Sequence, residues 1–159
     1  MKVNKPVNVV VIGGGTAGLE AACTATEVGC TTFLFEAKPY LGGLAREIAK
    51  LPAKDRINDF PNYLINRAKK LRNLYIFTNT TATMEAIENL KPDVIVNATG
   101  ATPLLPPITG LHDRVDKENS KVLSIFGLIE NIQKFNEMNL EGKKIGVIGG
   151  GAVGLDVVE

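Results

Sequence analysis

Near-continuous apolar, β-branched runs alternate along this chain with stretches whose apolar residues recur at helical spacing. The runs at 7–12, 31–35, 74–78, 93–98 and 143–148 read as strands, the 93–98 run as a buried one. Helical spacing predicts a helix from about 17 to 28, with Leu19, Ala22, Cys23 and Thr26 on one face. Further helices are expected at 55–71, 84–90 and 124–136, and a last one opens near the C-terminus. Gly29 suits the left-handed position past the first helix, and Pro61 kinks or restarts the second. Residues 37–54, with Pro39, Gly42, Gly43 and Pro52, read as a long loop; Pro103, Pro106 and Pro107 make another irregular segment. This order of elements implies an α/β fold, a parallel sheet covered by helices on both faces.

Two of the strands break into the same glycine pattern. Residues 9–18 read VVVIGGGTAG and residues 145–154 read IGVIGGGAVG, each a strand, a G-x-G-x-x-G turn and a helix start. In such a crossover the first glycine, Gly13 or Gly149, permits the sharp turn. The second, Gly15 or Gly151, lets backbone approach a diphosphate, and the third, Gly18 or Gly154, lets helix pack on strand. The amides at the helix start, at Thr16 and Ala17, then face the anion with the positive end of the helix dipole. Glu36 closes the second strand 18 residues past the third glycine, the place for a ribose-reading acid. A carboxylate there accepts both ribose hydroxyls of an adenosine and repels a 2′-phosphate. Two copies imply two dinucleotides; only the first copy has its full downstream context within 159 residues.

Composition narrows the class. With 45% hydrophobic and 22% charged residues the chain reads as globular, and a net charge of +1 favours neither nucleic acid nor an anionic membrane. No apolar run approaches the length of a bilayer span, and residues 1–6 precede no secretory core, so a cytoplasmic location is expected. Cys23 and Cys30 fit no redox or zinc spacing and read as packing thiols. His112, beside Asp113 and Arg114, reads as a solvated loop histidine, and Lys69, Lys70 and Arg72 as a wet helix face. No residue stands out as an acid–base catalyst or a metal ligand.

The stretch from Glu36 through Gly42-Gly43 resembles the extended motif of flavoprotein reductases, in which a glycine pair follows the acid. In that family the pair approaches the FAD diphosphate and ribityl, and ordinary nicotinamide-binding units lack it. Residues 94–103, with Ala98-Thr99-Gly100 and Pro103, resemble the family's A-T-G-x-x-P strand end, which passes near the flavin. Disulfide reductases follow the pair with a redox C-x4-C, and residues 44–60 hold no cysteine. Residues 41–52, LGGLAREIAKLP, instead look like the enoate reductases, 2,4-dienoyl-CoA reductases and their trimethylamine dehydrogenase relatives.

That resemblance implies an oxidoreductase using FAD and NAD(P)H, with FAD contacts also from Ala37, Lys38, Leu44 and Arg46. It implies as partner a barrel domain with FMN and an iron–sulfur cluster, and, for the parent enzyme, reduction of an activated alkene. The expected organisation is an FAD-binding, Rossmann-like domain at 1–105, a connection at 106–142, and the first strand, turn and helix of a nicotinamide-binding domain at 143–159. The chain has no barrel, no G-D segment to finish the FAD site and no continuation of the second unit. It therefore reads as a fragment not expected to turn over alone. Another reductase of this architecture, such as the electron-input subunit of glutamate synthase, stays open. A non-catalytic scaffold is expected to lose Glu36 or the glycine pair, and both are present.

Overall fold

The computed structural model describes residues 3–158; the outermost residues of the expected first and last domains, Met1, Lys2 and Glu159, lie outside them. Two compact units divide the chain, Met1–Thr102 and Pro103–Glu159.

In the first unit the apolar runs form a four-stranded parallel sheet in the order β3-β2-β1-β4. The strands are β1 (Asn8–Ile12), β2 (Thr31–Phe35), β3 (Leu74–Phe77) and β4 (Val94–Asn97). Register runs Val10 to Phe33 and Ile95, and Phe33 to Tyr75, which sends alternate residues to opposite faces. One face buries Val9, Val11 and Leu34 against α1 (Thr16–Glu27) and α3 (Asp59–Ala68) through Leu19, Cys23 and Leu64. The other packs Val10 and Phe35 on Ile87 of α4 (Met84–Asn89). There Phe33 stacks on Tyr75 and Phe35 on Phe77, centroids 5.3 and 5.1 Å apart.

Helix α1 ends as its sequence predicts. Gly29 has φ +106°, its N–H donates to Thr26 O, and Cys30 N–H donates to Ala25 O, the double closure of a Schellman motif. Arg67 of α3 reaches back to α1 and bridges Glu20 and Glu27 at 2.9 and 2.6 Å.

Four expectations need correction. The presumed loop 37–54 contains a short helix, α2 (Gly43–Ile48). The helix expected from 55 begins as a 3-10 turn, Asp55–Asn58, before α3; Pro61 then sits in the first turn, where no intrahelical N–H is missed. Strand β4, read as buried, is exposed at Val94 and Ile95, because it is an edge of this sheet. The fourth correction is smaller: β3 and α4 each stop one residue early, within the fraying common at element ends.

In the second unit the helix expected at 124–136 is two, α5 (Ile125–Glu130) and α6 (Ile132–Asn136). They part at Asn131, whose side-chain amide donates to Gly127 O and draws the backbone off helical angles. Ser124 caps α5 by accepting from Gly127 N, and its own N–H donates to Asp116. Residues 143–148 form no strand. A strand exists only by pairing, and among the described residues this segment has no neighbour in a sheet. The helix after it, α7 (Ala152–Val158), does form.

Candidate functional site

The C-terminal ends of the parallel strands gather the first glycine turn, Glu36 and the end of β4. Gly13 has φ +106°, and a side chain on it would collide with the Ala98 carbonyl. Ala98 N–H donates to Ile12 O at 2.8 Å, so β4 delivers Ala98 and Thr99 to the turn. Gly18 lies directly on the Gly13 carbonyl and admits no Cβ. Both sequence roles, turn glycine and packing glycine, are thus visible as steric facts.

Helix α1 starts at an extended Gly15 with no side-chain cap and no acidic residue in its first turn. Its first-turn amides, from Thr16 onward, have no intrahelical acceptor, an arrangement suited to binding an anion. A Cβ on Gly15 would meet only Gly43 Cα, 3.8 Å away. This open, positively polarised cradle suits a diphosphate.

Beside it opens a cavity of about 270 Å³ lined by Ile12, Gly13, Phe35, Glu36, Ala37, Thr80–Ala82 and Thr99. Glu36 is held at its edge from two sides: Oε2 accepts from Gly14 N at 2.6 Å and Oε1 from Lys38 N at 2.7 Å. Thr80 N–H donates to Glu36 O, and Asn79, at φ +53°, donates to Lys38 O, which folds the end of β3 over the acid. Thr80, Thr81 and Ala82 are absent from the sequence reading. Their signal was the rule that ligands sit beyond the carboxyl ends of parallel strands.

The glycine pair closes onto the turn. Gly42 N–H donates to Gly14 O at 2.9 Å, Gly42 pairs with Gly15 in an isolated parallel bridge, and both Gly42 and Gly43 have positive φ. Lys38 and Arg46 both lie over the Tyr40 ring, 5.7 and 5.0 Å from its centroid. The Arg46 and Leu44 side chains are exposed and line no part of the cavity, and Gly100 stands in open space at φ +82°. On α2, Glu47 is buried and ion-paired with Lys50; desolvation pushes its carboxyl up, and the Lys50 hydrogen bond with its neighbours outweighs that, so it titrates low. Burial pushes the Cys23 thiol up, in keeping with a packing role.

The second glycine turn repeats the first. Gly149 has φ +113°, Gly154 lies on the Gly149 carbonyl, and Leu155 N–H donates to Gly151 O at 3.0 Å, as Leu19 N–H donates to Gly15 O at 2.9 Å. One contrast is clear: a Cβ on Gly14 would strike Leu41 and Glu36, whereas Gly150 meets nothing. Among the described residues no group of three or more potential metal ligands occurs, and no helix is long and apolar enough to cross a membrane.

Residues 8–159 match the family described as pyridine nucleotide-disulphide oxidoreductase. An NADH oxidase of Thermoanaerobacter brockii is 34% identical over 148 residues, 93% of this chain and 21% of that protein. Bilirubin reductase of Mediterraneibacter gnavus is 36% identical over 151 residues, 95% of this chain and 22% of that protein. Among solved structures, 2-naphthoyl-CoA reductase in complex with 2-naphthoyl-CoA is 26% identical at a TM-score of 0.73, covering 98% of this chain and 22% of that one. The chain spans about a fifth of the length of these relatives.

Proposed function

Because the chain belongs to the pyridine nucleotide-disulphide oxidoreductase family, we propose that its first unit binds FAD within an NAD(P)H-dependent flavin oxidoreductase. One observation carries this reading. The bare amides of α1, the doubly held Glu36 and the glycine pair meet at one end of one sheet, beside a cavity of about 270 Å³. The cradle at Gly13, Gly15, Thr16, Ala17 and Gly18 takes the diphosphate, and Glu36 takes the adenosine ribose. Gly42 and Gly43, with Ala37, Lys38, Leu44 and Arg46, border the cofactor on the loop side; Ala98, Thr99 and Gly100 border it on the β4 side.

Bound FAD supplies the hydride and electron chemistry; the chain binds and orients it. Domain bounds follow this division: FAD at 1–105, a connection at 106–142, and the opening of a nicotinamide site at 143–159 through Gly149, Gly151 and Gly154. The whole enzyme would add a barrel domain with FMN and an iron–sulfur cluster, which would supply the electron chemistry for reducing an activated alkene at the expense of NAD(P)H. Support for that last step is the L-G-G-L-A-R-E segment and the likeness to an acyl-CoA-bound reductase.

Titrating the purified chain with FAD, FMN and NAD, with flavin fluorescence and nucleotide competition as readouts, tests the assignment. FAD is expected to bind tightest. A preference for NAD would overturn it.

A further inference from the structure

We propose that Gly14, the unassigned x of the first G-x-G-x-x-G, is a specificity-determining positioning residue that pins Glu36 so that the site refuses a 2′-phosphorylated adenosine. The proposal rests on reading this site as the adenosine end of the cofactor site.

Gly14 is not in the left-handed region, so backbone conformation does not demand glycine here. Space does. A Cβ on Gly14 would lie 2.6 Å from Leu41 Cδ2, 2.9 Å from Glu36 Cβ and 3.0 Å from Glu36 Oε2. The bare Cα is what allows the Gly14 N–H to meet Glu36 Oε2 at 2.6 Å while Gly14 O accepts from Gly42 N. With Lys38 N–H on Oε1 at 2.7 Å, each carboxylate oxygen spends one lone pair on backbone and keeps another for a ribose hydroxyl.

A carboxylate free to rotate can swing away from an incoming phosphate and relieve the repulsion. One clamped between two main-chain amides cannot. The negative charge therefore stays where a 2′-phosphate would arrive, and discrimination comes from the clamp as well as from the acid.

The test uses the full chain loaded with FAD and displaced by ADP or by 2′-phospho-ADP, followed by flavin fluorescence. The parent is expected to favour ADP by about tenfold or more. Glu36→Ala should abolish the preference, and Gly14→Ala should erode it although Glu36 remains. Preference intact in Gly14→Ala but lost in Glu36→Ala overturns the role of Gly14 and leaves the site reading standing. Equal displacement from the parent overturns both. A second measurement needs no folded Gly14 variant: in the ligand-free chain, the Gly14 and Lys38 amide resonances should move upfield in Glu36→Ala. If they stay in place, the clamp does not exist in solution and the proposal falls.

Discussion

A Cβ built on Gly43 would lie 2.7 Å from the Cα of Gly15, so the backbone of Gly15 leaves no room for a side chain on Gly43. The glycine pair and the glycine turn, far apart in sequence, are in backbone-to-backbone contact. Gly43 also has φ +57°, where an L side chain costs about 1–2 kcal/mol before any clash. Gly43→Ala should therefore destabilise the first unit by at least about 2 kcal/mol, read as a lower urea midpoint, and weaken FAD binding in parallel.

Thr32 is fully buried on β2, and its hydroxyl has no partner among the described residues. An unsatisfied buried hydroxyl costs about 1–3 kcal/mol, and valine has the same shape without it. Thr32→Val should raise stability by about 1 kcal/mol, measured by denaturant unfolding. A loss would show that the hydroxyl is satisfied in solution.

Ala53 sits at φ +56°, a left-handed position taken without glycine's freedom. Relief of about 1–2 kcal/mol of strain exceeds the roughly 0.4–1 kcal/mol that glycine gives back through the unfolded chain. Ala53→Gly should stabilise by somewhat under about 1 kcal/mol, seen as a small rise in melting temperature.

Hydrogen bonds from Arg67 hold the Glu20 and Glu27 carboxyls below the usual range. For acids lowered in the folded state, the stabilisation is complete above the unfolded value of about 4.3 and lost as pH falls through the lower native values. Arg67→Met should lower the urea midpoint at neutral pH and leave it nearly unchanged in strong acid. Both carboxylates are more than a third exposed, so added salt should shrink the difference.

What the sequence makes legible is what is local. Strand β2 falls where its apolar run does, Gly29 takes the left-handed φ, and the Gly13, Gly18 and Glu36 geometry follows from the fingerprint. What it hides depends on partners far along the chain. Helix α2 forms where Gly42 and Gly43 dock on the turn, a contact no periodicity reports. Thr80–Ala82 reach the cavity only because β3 pairs with β2. Residues 143–148 have a strand's composition, but a strand also requires a neighbour to bond with.

The second glycine turn keeps its shape beside that unpaired segment, with Gly154 seated on the Gly149 carbonyl. The contacts that define the turn span only a few residues, so closing it costs little chain entropy. Turns of this kind belong to the earliest, fastest class of folding events, nanoseconds to microseconds, well ahead of parallel strand pairing. In both halves of this chain, then, the glycine bend can be in place before any strands pair beside it.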